Sequence, residues 1–245
     1  MAVARRSSES KESKKWPSGR SLIADAPRYN RLPSSGGAQL RVMVLASTPE
    51  DTTGVDLGSG TLVRLRPAPD ALAPMKFERF EVIDVMLAED PERDDLAQPE
   101  AVTVAFTPHV VGRLRGRRIR RILSRLSDPA LGPLLGFLGP AAPYWEFEGL
   151  RPSVAVINPP RGLQLIYRES DASTWVRFGW HRDDVWLPVE DTVIEEAMAN
   201  ANKPRLSGKA LANALGFTPR YILAVVSKPR DGHCYKICSA VLPRR

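Results

Sequence analysis

His181, Asp183 and Asp184 stand within four residues in the stretch HRDD. An imidazole beside two carboxylates is a donor set that can hold a divalent ion or relay a proton. The same residues lie between two strand-like runs, where they also make an ordinary polar turn. His233, Cys234 and Cys238 invite zinc, but a closed structural site takes four ligands, and no second pair stands at the expected spacing. His181 or His109 would have to complete such a site from a distance. On a strand Cys234 and Cys238 face the same way, and two small buried residues account for them. Gly58 and Gly60 in DLGSGTLVRL precede a strand instead of following one, and they lack the lysine of a phosphate loop. The carboxylates of AEDPERDD, residues 88–95, surround Pro91 and suit a solvated loop, a metal or a basic partner. No nucleophile, base and acid are spaced recognisably, so no catalytic motif, cofactor or metal is expected.

Arg113, Arg117, Arg121 and Arg125 recur every four residues in TPHVVGRLRGRRIRRILSRLS, residues 107–127, joined by Arg115, Arg118 and Arg120 and by no acid. Val111, Leu114, Ile119, Ile122, Leu123 and Leu126 form an apolar stripe, which predicts a helix, arginine-rich over 110–127. Like charges one turn apart repel, so something negative must lie alongside: external phosphate, or Asp and Glu of the same fold. Gly112 and Gly116 weaken the helix and point to tertiary support. Trp175, Trp180, Trp186 and neighbouring aromatic residues, interleaved with Arg168, Arg177 and Arg182, suggest a platform for stacked bases. In STWVRFGWH, however, Val176, Phe178 and Trp180 share one strand face while Trp175, Arg177 and His181 share the other, the pattern of a sheet with one core face.

Composition bounds the scaffold that carries these groups. The 245 residues include 35 basic and 28 acidic side chains, a net +7, and 43% are hydrophobic. That suits one large globular domain or two small ones, with a modest preference for acidic partners. Arginine outnumbers lysine 27 to 8, through a GC-rich genome or because guanidinium forks suit phosphate and guanine. Two cysteines exclude a disulfide-stapled scaffold and favour a reducing compartment. The N-terminal residues hold no apolar signal core, and the uncharged segment 130–143 is too short to span a bilayer. A cytoplasmic protein without membrane contact is therefore expected.

Residues 1–39 are too polar to offset the entropy of ordering and read as a disordered basic tail capable of non-specific phosphate contacts. Residues 40–189 read as a mixed, β-rich central domain. Its strands are RVMVLAS, GTLVRLRP, FERFEVIDVML, AVTVAF, YWEFEG, PSVAVINP, LQLIYRE, STWVRFGW and DDVWLPVE, broken by the arginine helix and by a buried turn-rich segment at 130–143.

Residues 190–245 carry the sharpest local signals. Thr192 and Glu195 form a capping box before an apolar helix face of Val193, Ile194, Ala197, Met198 and Ala201, and Lys203 and Pro204 end that helix. Ser207 opens a second helix with Leu211 and Leu215 on one side, which Gly216 closes. Thr218 then stands as an N-cap with Pro219 at the first helical position, and Ile222, Val225 and Val226 make a buried side.

With Ala212 where the helices cross, Gly216 in the turn and Phe217 as the plug after it, residues 207–227 resemble the helix-turn-helix DNA-binding superfamily. The resemblance implies an α+β protein with a C-terminal helix-turn-helix, winged if HCYKICSAVL pairs beside it. It places Thr218, Arg220, Tyr221 and Ala224 toward base edges in the major groove of duplex DNA. Lys209, Lys228, Arg230, Arg113, Arg117 and Arg121 would add phosphate contacts. Transcription regulation or replication control would fit, and a homodimer would match the two-fold use of this motif. The same C-terminal residues also read as a β-hairpin, YILAVVS and HCYKICSAV joined by KPRDG, which would leave an interaction or structural protein. A nucleic-acid-processing enzyme using His181, Asp183 and Asp184 is the third alternative.

Overall fold

The computed structural model describes residues 37–48, 50–68, 75–88, 97–128, 132–147, 152–159, 161–181 and 183–244. The expected basic tail, up to residue 36, and the acidic stretch from 89 to 95 lie outside the described residues.

Strands β1 (Gln39–Ser47), β2 (Thr52–Asp56), β3 (Leu62–Arg66), β4 (Glu81–Met86), β5 (Ala101–Thr103) and β6 (His109–Arg113) form a six-stranded sheet in the order β5-β3-β2-β1-β4-β6. Only the β3/β5 pair is parallel. Alternation in β1 sends Leu40, Val42 and Val44 to one face and Met43 and Leu45 to the other, and both sets are buried. β2 escaped the sequence reading because TTGVD is short and polar in composition. Its Gly54 lets β1 approach: a Cβ there would stand 2.7 Å from the Met43 carbonyl oxygen.

Helix α1 (Arg117–Leu126) and strand β7 (Ser127–Asp128) follow, then β8 (Ala141–Pro143), β9 (Val154–Ile157), β10 (Arg161–Arg168), β11 (Ser173–Trp180) and β12 (Asp183–Pro188). The last elements are α2 (Thr192–Ala201), β13 (Arg205–Ser207), α3 (Gly208–Leu215), β14 (Pro219–Val226) and β15 (His233–Pro243). A four-stranded antiparallel sheet has the order β12-β11-β10-β13, and a five-stranded sheet the order β7-β9-β14-β15-β8.

The five-stranded sheet is the middle layer. One face, with Ile157, Ile222, Ala224, Val226 and Val241, meets Leu165, Val176, Phe178 and Leu187 of the four-stranded sheet and the apolar sides of α2 and α3. The other face, with Val154, Val156, Tyr221, Leu223, Val225 and Ile237, meets Met43, Leu45, Val55 and Leu62 of the six-stranded sheet and Ile119, Leu123 and Leu126 of α1.

This layer overturns the expected helix-turn-helix. Residues 219–226 are a strand paired with β15 and with β9, so no recognition helix exists. The protein is β-rich in three sheets, and the C-terminus ends in β15. The physical reason is burial on two faces. A helix over 219–226 would bury one side, whereas the strand buries every side chain from Tyr221 to Val226. Each additional large apolar side chain removed from water contributes about 1.5–3 kcal/mol. A helix cap at Thr218 is worth about 1 kcal/mol, so the strand wins. Arg230 and His233 exchange backbone hydrogen bonds of 2.8 and 3.0 Å around Asp231 (φ 51°) and Gly232 (φ 75°), the left-handed pair of a type I′ hairpin turn.

Other expectations divide. α2 forms, but its N-cap is Asp191, whose carboxylate accepts the Val193 amide at 3.1 Å, so Thr192 does not cap it. α3 forms and closes at Gly216 (φ 71°), although Ser207 makes no side-chain cap. The arginine helix is shorter than expected: His109–Arg113 is the edge strand β6, and Gly116 (φ 54°) separates it from α1. YWEFEG contributes a 3-10 turn at Tyr144–Glu146 instead of a strand.

Candidate functional site

α1 presents two unlike sides. At about 100° per residue, Ile119, Leu123 and Leu126 point into the core, and Arg117, Arg118, Arg120, Arg121 and Arg125 spread over the opposite arc, all exposed. Arg115 is exposed just before the helix. None of these six arginines forms an ion pair or side-chain hydrogen bond among the described residues. The internal carboxylate partners that the sequence left open are thus not found there. Other exposed arginines do pair: Arg113 with Glu78 at 2.5 Å, Arg41 with Asp84 at 2.7 Å and Arg177 with Asp184 at 2.7 Å.

The start of α1 sharpens the charge. It has no acid in its first turn and no side-chain cap, and Arg117 and Arg118 sit there. Cations at the positive end of a helix dipole cost roughly 0.3–1 kcal/mol each. Arg117–Arg121 and Arg121–Arg125 add like-charge contacts at one-turn spacing. An anion lying on this face would reverse both penalties.

The residues expected to touch DNA are scattered. Tyr221 and Ala224 are buried in the middle sheet, the reverse of the outward position expected for them. Thr218 is exposed, and its carbonyl accepts the Arg244 amide at 2.9 Å. Arg220 is exposed with its guanidinium 5.6 Å from the Tyr221 ring centroid. Lys209 is exposed on α3. Lys228 pairs with Glu50 at 3.2 Å and Arg230 with Glu190 at 2.9 Å, in addition to the Arg113–Glu78 pair. Of that set, Arg117 and Arg121 belong to the exposed arginine face of α1.

The zinc and ion expectations also meet geometry. Cys234 and Cys238 are buried and not joined in a disulfide, and burial pushes the Cys238 thiol up, away from the thiolate a metal needs. Among the described residues no three His, Cys, Asp or Glu side chains are grouped for a metal. Asp184 accepts Arg177 and the Trp186 indole (3.2 Å), and the Arg177 guanidinium holds its carboxyl below the usual range. Val176, Phe178 and Trp180 do share the core face of β11, while Trp175 and Trp186 lie on the other face under Arg168 and Arg177, at 4.8 and 5.1 Å from guanidinium to ring centroid.

His181, Asp183 and Asp184 border a cavity of about 610 Å³ that also touches residues 132–140, Trp180, Leu187 and Lys236. Sequence reasoning missed Lys236. Its signal was strand alternation, since it stands midway between Cys234 and Cys238 on the face those residues bury.

No protein-family model matches this chain, and no curated protein matches it in sequence. Among the described residues no helix is long and apolar enough to cross a membrane.

Proposed function

We propose that this is a non-enzymatic protein that binds the phosphate backbone of duplex DNA through the arginine face of α1. The observation that carries this reading is the set of exposed arginines on one helix side, without an ion pair among the described residues, whose other side is locked into the core. A side chain anchored this way gains charge-assisted, bidentate contacts to phosphate. Phosphate contacts hold a duplex without reading its bases, so binding is indifferent to sequence.

The experiment is a salt titration of the full chain on a random-sequence duplex. Five arginine contacts give a log-log slope of about −4.5, or an affinity loss of about 500-fold between 50 and 200 mM salt. A slope near zero, or no binding at low salt, contradicts the proposal. A protein-interaction role is a second reading, supported by the β14/β15 hairpin completing the middle sheet and by exposed Phe106 and Trp145. Absence of DNA binding at low salt favours it.

A further inference from the structure

The cavity beside β12 holds a buried cation with no ion-pair partner among the described residues. Lys236 is 5% exposed, and its Nζ donates to the carbonyls of Phe137 and Gly139, each at 2.7 Å. It also stands 4.0 Å from the Phe137 ring centroid. No carboxylate lies within ion-pair distance of it among the described residues. The carbonyls and the ring face solvate the ammonium but leave its net charge in place, and a buried charge lacking a counter-ion carries a large desolvation cost. Around it the walls are apolar: Leu134, Phe137, Leu138, Trp180, Val185 and Leu187. At about 610 Å³ the space is of the size that takes a small organic molecule.

We infer that this cavity is a binding site for a small carboxylic acid with an apolar or aromatic body, the carboxylate seated against Lys236 and the body against Trp180, Leu134 and Leu187. Among the described residues, the other charged or titratable groups at the cavity are His181, Asp183 and Asp184, and Asp184 is matched by Arg177. Asp183 is exposed and acts on Lys236 only through space. This inference is independent of DNA binding, which uses α1.

The test uses 1-naphthoate as the probe and quenching of the tryptophans, two of which line the cavity, as the readout on the full chain. Saturable binding is expected, at least 10-fold tighter than that of the uncharged 1-naphthalenemethanol. Burial pushes the Lys236 amine down to about 8 from 10.5, so naphthoate affinity falls as pH rises through about 8 and the ammonium is lost. The free protein shows the linked sign: between about 8 and 10.5 the unfolded chain holds a proton that the folded chain has released. This group's contribution therefore favours the fold more as pH rises through that window.

Lys236→Met should lower naphthoate affinity at least 10-fold. Because Lys236 also pins the 132–140 loop, Leu138→Glu provides a second variant at a residue that is 78% exposed. It sets a repelling carboxylate at the cavity and should weaken naphthoate more than the alcohol, with thermal melting unchanged. Equal binding of acid and alcohol, or naphthoate affinity unchanged in Leu138→Glu, overturns the inference, as does no binding at millimolar probe.

Discussion

Replacing Arg117, Arg118, Arg120, Arg121 and Arg125 together with glutamine is expected to lower affinity for duplex DNA more than 100-fold at moderate salt and to flatten the salt slope by about 4.5. The fold should not suffer. These side chains are exposed and make no ion pair or side-chain hydrogen bond among the described residues, while Ile119, Leu123 and Leu126 keep α1 in place. Glutamine is nearly as good a helix former as arginine. Removing like charges one turn apart recovers a few tenths of a kcal/mol per pair. Thermal melting should therefore stay level or rise while binding collapses, a combination that misfolding cannot produce. A variant that melts normally and binds like the parent would show that α1 is only a solvated face.

The largest expected stability effect lies at Arg64, which bridges two layers. Its Nη2 meets the Asp51 carboxylate at 2.5 Å and its Nη1 donates to the Val226 carbonyl at 2.7 Å, with both partners buried. Gln98 donates to the same carbonyl at 2.9 Å. Arg64→Met preserves much of the volume but leaves Asp51 as a buried charge without its counter-ion, a change that typically costs about 3–5 kcal/mol. Against a total stability of about 5–15 kcal/mol, this should be plain in urea unfolding. Arg64→Met with Asp51→Asn should recover part of the loss, because the orphaned charge is then gone. A loss below about 1 kcal/mol for Arg64→Met alone would mean that Arg64, through its Asp51 pair and its Val226 contact, does not hold the two layers together.

Strands with one buried face were legible in the sequence. β11 alternates strictly between half-buried and buried positions along STWVRFGW, and its period of two shows in the letters. β14 was legible only as the alternative hairpin of YILAVVS with HCYKICSAV, which its pairing with β15 bears out, because burial on both faces erases the period that would have decided for it. YILAVV then reads as an apolar run that a helix start at Thr218 and Pro219 can claim. The boundary of α1 failed for a related reason: arginines every four residues continue the helical spacing through His109–Arg113, and only the left-handed Gly116 marks the break.

The candidate sites depend on pairing in space. The sequence supplied the arginines and the absence of nearby acids, but whether distant carboxylates reach them is a tertiary fact. For Lys236, the loop carbonyls that hold it lie nearly a hundred residues away, at Phe137 and Gly139. Spacing alone does not join such positions.

The central claim, that polyanions lie along the arginine face of α1, is tested most directly by arginine footprinting. The full chain is treated with phenylglyoxal with and without a saturating random-sequence duplex, and modification is read by mass spectrometry at each arginine. Protection is expected at Arg117, Arg118, Arg120, Arg121 and Arg125, while exposed Arg220 on β14 keeps its reactivity. If the α1 arginines react equally with and without bound DNA, the assignment of the interface to α1 is wrong.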